Sequence, residues 1–157
     1  MLKKDKNTND VNFILENLRK EDLNEIKALW GRNYKQKVFE SINNTDYLIL
    51  IGVNDKTEKI PVAIGGFYEV YKDNPNIACV WLLSTKYIKY NKKEFFSALK
   101  KQLEYAETKY FVMYNFIYKE NFEAKKWLRK FGFKFDNPKP DGIRVPENFE
   151  FFYKLTQ

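Results

Sequence analysis

The chain contains no histidine and a single cysteine, Cys79. The first absence removes Ser-His-Asp and Cys-His nucleophilic machinery and every histidine-ligated metal. The second removes an intrachain disulfide and any cysteine zinc cluster. Proton transfer is left to Asp, Glu, Lys, Tyr, Cys or a held water. With 6 Gly and 5 Pro in 157 residues, collagen-like and low-complexity classes are excluded. Apolar runs are short: Tyr47 to Val53 falls well below the about 20 residues of a membrane span. No apolar segment follows Lys3, Lys4 and Lys6, so the N-terminal stretch does not read as a secretory signal. These features predict a soluble, cytoplasmic protein that uses no metal and no membrane.

Aromatic and basic residues are what the chain has in plenty. Its length matches one domain. Hydrophobic residues make up 44 % and aromatics 18 %, enough to close a core. The formal net charge of +7 suits an anionic partner. The lysines are scattered along the chain, however, and nucleic-acid binders gather their charge on one face. Nucleic acid is therefore disfavoured as a partner. The aromatic excess raises a second expectation, an exposed aromatic surface that receives a protein.

Residues 1–10 read as a flexible tail and residues 11–157 as a single domain. Val11 to Leu18 alternates in polarity and predicts a strand. Leu23, Ile26, Leu29 and Trp30 predict a helix over Glu21–Trp30, stopped by Gly31, and a weaker helix covers Tyr34–Ile42. Strands are expected at Tyr47–Val53, Ile60–Tyr71 and Ile77–Leu83. Asn91, with Glu94 three residues on, reads as a capping box opening a long helix. Tyr110–Tyr118 reads as a strand, and Asn121 starts a helix with Ala124, Trp127, Leu128 and Phe131 on one face. Phe133–Phe135 and Phe149–Leu155 complete the set. Hairpin-linked strands followed by helix-linked ones predict an α/β fold, a mixed six- to seven-stranded sheet with helices on both faces.

Three segments resemble the GNAT (N-acetyltransferase) superfamily, over nearly the whole chain. Leu18-Arg19-Lys20-Glu21-Asp22-Leu23 is similar to the family's first strand running into an Asp-Leu helix start. Val62-Ala63-Ile64-Gly65-Gly66-Phe67 is similar to the third strand, where members often read "vaGf". The third segment, from Asn121 through Ala124 and Leu128 to Gly132-Phe133, matches N-x-x-A-x-x-x-Y-x-x-x-G-F except at the tyrosine. Val80-Trp81-Leu82-Leu83 further resembles the "vWLL" strand of GNAT-like proteins encoded by tailed bacteriophages, which implies a phage origin and a host cytoplasm.

The resemblance implies a single-domain GNAT-like fold with acetyl-CoA as co-substrate and a primary amine as acceptor. The pantetheine arm would lie between splayed strands and pair with backbone groups of Leu82, Leu83 and Ser84. Lys86, Lys89, Lys92 and Lys93, near the start of the long helix, would neutralise the phosphates; they equally suit a solvated loop. Asn121 would approach the pantetheine, and it also suits a helix cap. Glu69 is the expected general base, and Tyr114 and Tyr118 are candidate acids. The chain departs from the family twice. Lys86 to Lys93 holds no glycine where members carry R/Q-x-x-G-x-G/A, and Leu128 stands at the tyrosine position. Both departures support the alternative of a catalytically inactive GNAT-like phage protein, acting as a protein-binding or virion-associated module.

Overall fold

A computed structural model describes residues 8–136 and 141–156. The first seven residues of the expected tail lie outside the described residues, while Thr8 to Asp10 form the first turn of a helix. That helix, α1 (Thr8–Glu16), replaces the expected strand over Val11–Leu18. The segment satisfies two periods at once. Val11, Phe13 and Leu15 alternate, but Val11, Ile14 and Leu15 also share a helical stripe. Ile14 decides between them, because its side chain is fully buried and a strand would turn it away from Val11 and Leu15. Only Leu18 keeps a strand-like contact, a single bridge to Thr85.

α2 (Lys20–Trp30) and α3 (Tyr34–Asn44) follow, joined by a 3-10 turn at Gly31–Asn33. Three strands come next: β1 (Tyr47–Asn54), β2 (Lys59–Tyr71) and β3 (Asn74–Ser84). A 3-10 turn, Lys86–Tyr90, leads into α4 (Lys92–Glu107), then β4 (Val112–Tyr118), α5 (Phe122–Lys130) and β5 (Phe149–Leu155). The capping box forms as expected: Asn91 Oδ1 accepts from Glu94 N–H at 3.1 Å, and Asn91 Nδ2 donates back to the Glu94 carboxylate at 2.8 Å.

Among the described residues the sheet has five strands in the order β1-β2-β3-β4-β5. The expected six or seven shrink to five for two reasons: α1 is a helix, and Phe133–Phe135 contributes only the bridge between Lys134 and Tyr153. β1, β2 and β3 form an antiparallel meander, and β4 pairs antiparallel with β5. β3 and β4 run parallel with α4 as their crossover, as parallel neighbours require.

Helices cover both faces. Val11, Ile14, Leu15, Ile26 and Val38 seal α1, α2 and α3 against Ile64 and Leu83 on one face. Phe95, Leu103 and Ala106 of α4 pack with Phe67, Val80, Met113 and Phe152 on the other, and α5 joins them through Ala124, Trp127 and Leu128. Trp127 meets Phe95 and Phe96 edge-on at 5.8 and 5.3 Å, the arrangement ring quadrupoles favour. Among the described residues no helix is long and apolar enough to cross a membrane.

The double glycine of β2 marks a tight strand crossing. A Cβ on Gly65 would lie 2.2 Å from the Trp81 carbonyl oxygen, which is backbone of β3 and cannot yield without moving the strand. Gly65→Ala is expected to cost about 1–3 kcal/mol, the usual penalty of overpacking. Urea denaturation measures it, and a variant as stable as the parent would show that β3 shifts freely.

Candidate functional site

β3 and β4 stay paired for only three residue pairs, from Ile77↔Val112 to Cys79↔Tyr114. Beyond them the strands part. A cavity of about 270 Å³ fills the gap and passes through the sheet. On one face it is walled by Glu25, Ile26, Leu29 and Trp30 of α2 and Val38 of α3; on the other by Leu99 and Leu103 of α4 and Ala124, Trp127 and Leu128 of α5. The strands supply Leu82 to Ser84 and Asn115 to Ile117.

The parted strands are held by polar groups. Asn115 Nδ2 donates to the Val80 carbonyl at 2.7 Å, across the point where ladder bonding stops. Thr85 N–H turns the other way, to Val62 O at 2.7 Å. Backbone groups alternate sides along a strand. Val80, Leu82 and Ser84 therefore address the gap, and Trp81 and Leu83 address β2. Ser84 is already engaged: its N–H and its hydroxyl both donate to Asp22 Oδ2 at 2.8 Å, and its carbonyl accepts from Arg19 N–H at 3.0 Å. Of Leu82, Leu83 and Ser84, only Leu82 keeps its backbone pair turned to the gap with no partner from β2.

Asp22 sits at the centre of a buried knot. Its Oδ1 accepts from Asn121 Nδ2 at 3.2 Å and lies 3.6 Å from Arg19 Nη2, which itself donates to Asn121 Oδ1 at 3.2 Å. Arg19 is 5 % exposed, its guanidinium 4.4 Å above the Trp127 ring and 3.5 Å from Glu123. Its Nε and Nη1 find no hydrogen-bond partner among the described residues. Burial pushes the Asp22 pKa up, and the Arg19 charge and the Ser84 and Asn121 hydrogen bonds work against that rise.

Glu25, one turn along α2, faces the cavity. Its Oε1 accepts the Tyr118 backbone N–H at 2.7 Å. Burial, with the Asp22 carboxylate adding to it, raises the Glu25 pKa from 4.5 to about 7, against the pull of the Tyr118 hydrogen bond. A carboxylate poised near neutrality in a cleft is suited to taking a proton from a substrate.

The expected site residues divide. Leu82, Leu83, Ser84 and Asn121 line the cavity, and Asn121, 1 % exposed, both caps α5 and joins the knot. Glu69 does not reach it: the residue is exposed near the far end of the β2–β3 pair, opposite Ala78. Tyr114 lies in the paired part of the sheet beside Cys79, where burial raises its pKa to about 12, and it does not line the cavity. Tyr118 packs its ring at a tilt against Phe149, 5.4 Å between centroids, and touches the site through its backbone.

Lys86, Lys89, Lys92 and Lys93 are all exposed and absent from the cavity wall. Lys86 and Lys89 lie over the rings of Tyr87 and Tyr90. The α4 N-terminus beside them is closed by its own cap, and the Glu94 carboxylate also takes both donors of Asn54 at 2.9 Å. The exposed aromatics Tyr71, Tyr90, Tyr105 and Phe122 fall on four different elements, and Phe111 lies just before β4.

Sequence reasoning missed Arg19, Asp22 and Glu25 as site residues. Their signal was spacing: Asp22 and Glu25 stand three apart, next to the buried Ile26, so they share its inward face. The apolar stripe through Leu23 and Leu29 masked them, although Leu29 is exposed.

No family model and no curated protein matches the chain. Solved structures do match in fold. An acetyltransferase of the GNAT family from Streptococcus pneumoniae aligns with TM-score 0.53 and 14 % identity over 80 % of this chain and 76 % of its own. A ribosomal-protein-alanine N-acetyltransferase from Brucella melitensis gives 0.58 and 16 %, over 94 % of each chain. A spermidine N-acetyltransferase from Vibrio cholerae, in complex with CoA and spermine, gives 0.59 and 14 %, over 95 % of this chain and 91 % of its own. The chain has the GNAT acetyltransferase fold.

Two outcomes follow for stability. Asp22→Ala strips the buried Arg19 of its central partner and is expected to cost about 3–5 kcal/mol, read from urea unfolding. Glu25 binds its proton more tightly folded than unfolded. Its contribution is therefore complete below pH 4.5 and is lost as pH rises through about 7. That loss amounts to about 3 kcal/mol at most. Glu25→Gln should flatten the decline between those values and leave the variant more stable than the parent at pH 8.

Proposed function

We propose that the protein transfers an acetyl group from acetyl-CoA to a primary amine, with Glu25 as general base. The parting of β3 from β4 carries this reading, because it opens a through-sheet cavity with the Leu82 backbone pair facing it. The fold shared with acetyltransferases supports it.

The residues present fit a pantetheine arm. Leu82 offers one N–H and one C=O at a strand edge, which an amide-bearing chain can meet as an added strand would. Leu99, Leu103 and Leu128 give the arm an apolar wall. At the phosphate end the closed α4 N-terminus leaves charge attraction from Lys86, Lys89, Lys92 and Lys93 in place of a glycine cradle. The co-substrate supplies an activated thioester.

Glu25 takes the proton from the amine, directly or through one water, as nitrogen attacks the thioester carbonyl. The C–N bond forms, the C–S bond breaks and the thiolate departs with the electron pair. An alkyl thiol is far more acidic than an alcohol and departs as its anion, so Leu128 in place of an acidic tyrosine does not stop the reaction. Arg19, Asp22 and Asn121 touch neither substrate in this scheme; they hold the α2 end, and with it Glu25, against the gap. The resemblance of Val80 to Leu83 to phage-encoded proteins supports action in a host cytoplasm.

The test is calorimetric binding of acetyl-CoA followed by thiol release with an amine panel. Binding and turnover are expected in the parent. Glu25→Gln should keep the binding and lower kcat by about 100-fold or more, the usual worth of a general base. The base works only when ionised, so the parent's kcat/KM should fall below pH 7, in addition to the amine's own titration. An unchanged kcat in the variant would remove Glu25 from the mechanism, and no acetyl-CoA binding would end the reading.

A further inference from the structure

The part of the cavity between the sheet and α2 has a chemistry of its own. Trp30, Tyr68, Trp81, Phe116 and Phe149 line it. The Trp81 Nε1 donates to Thr45 Oγ1 at 3.0 Å, so the indole presents ring rather than N–H to a ligand. The Ser41 hydroxyl is spent on the Lys37 carbonyl at 2.9 Å. Both oxygens of Asp22 are committed, to Asn121 and Arg19 on one side and to Ser84 on the other. Glu25 is different. Its Oε1 accepts from Tyr118 N–H and the Asn121 side chain also reaches its carboxylate, which leaves acceptor positions open, since a carboxylate accepts about four such bonds. No lysine or arginine is found among the described residues of the wall.

We propose that the amine acceptor is an arylalkylamine: an aromatic ring, a short alkyl link and one primary amino group. This inference rests on the amine-transfer reading above and narrows it. One carboxylate with open acceptor positions and no lysine or arginine on the wall beside it balances one ammonium. A second ammonium would be desolvated without a partner, which a buried charge does not tolerate. An α-carboxylate would bring an anion toward Glu25 with no cation on the wall to receive it. A hydroxyl-rich amine would lose water bonds that five aromatic side chains do not replace. A ring, by contrast, gains edge and face contacts with those side chains, and an ammonium near their faces is also favoured.

The experiment titrates the whole protein at pH 8 with phenethylamine, phenylalanine and spermidine, by calorimetry and by tryptophan fluorescence. Phenylalanine adds only a carboxylate to phenethylamine, and spermidine adds only charge and length without a ring. Phenethylamine is expected to bind at least tenfold tighter than either, and Glu25→Gln to weaken it at least tenfold. Equal or tighter binding of phenylalanine or spermidine overturns the inference, as does phenethylamine binding that Glu25→Gln leaves unchanged. The ranking on the parent protein stands even where the variant does not fold. Thiol release from acetyl-CoA, followed in parallel, separates the two claims. A polar amine that turns over while phenethylamine neither binds nor reacts overturns the acceptor class and leaves the transfer. Phenethylamine that binds in the expected order but releases no thiol keeps the ligand class and overturns the transfer.

Discussion

The buried contact of Asp22 with Arg19, Asn121 and Ser84 is what the rest of the site depends on. It joins three elements distant in sequence: the start of α2, the end of β3 and the start of α5. Each is an end of secondary structure, where backbone groups lack regular partners. Asp22 supplies the acceptor that Ser84 N–H would have found on a neighbouring strand. Arg19 then balances the carboxylate, and Trp127 roofs the guanidinium. The strands can part because their loose ends are bonded to something else. Burial makes this arrangement costly to create and costlier to break one partner at a time.

A different economy governs the α4 end. There the helix closes on itself through Asn91 and Glu94, and Glu94 also clasps the β1–β2 hairpin at Asn54. Positive charge remains nearby, but on exposed lysines whose side chains are hydrated and mobile in the sense common to long surface cations. The molecule thus has a preorganised middle and a diffuse rim. Any anion met at that rim is attracted more than it is oriented, and its hold weakens as salt screens the charge.

Much of the fold was legible in the sequence. The antiparallel meander, the capping box, the α4 crossover and the α5 start all followed from period and turn chemistry. The α1 error came from a short segment whose residues satisfy both periods, and only tertiary burial of Ile14 separates them. The missing strand at Phe133 to Phe135 has a related cause: the segment is β-like in composition, yet only Lys134 finds a strand partner, Tyr153. The site was legible on β3 and at Asn121, where a motif marks it. It was not legible in α2, because a polar residue on an inward helix face is identified by what it touches, and Ser84 is 62 positions away from Asp22. Glu69 misled for the mirror reason. Proximity to the double glycine in sequence placed it near the cleft, but strand direction carries it out to the exposed end of the sheet.

Cys79 stands at the last paired position before β3 and β4 separate. It is 4 % exposed, and burial drives its thiol to about 12, so thiolate at neutral pH is scarce. It is the chain's only sulfhydryl, flanked across the sheet by Tyr68 on β2 and Tyr114 on β4. An alkylating reagent reaches it only when that packing opens, and where modification outpaces reclosing its rate is the rate of opening. Labelling of the native molecule, readable by mass without any engineered label, therefore reports how often the sheet beside the cleft comes apart.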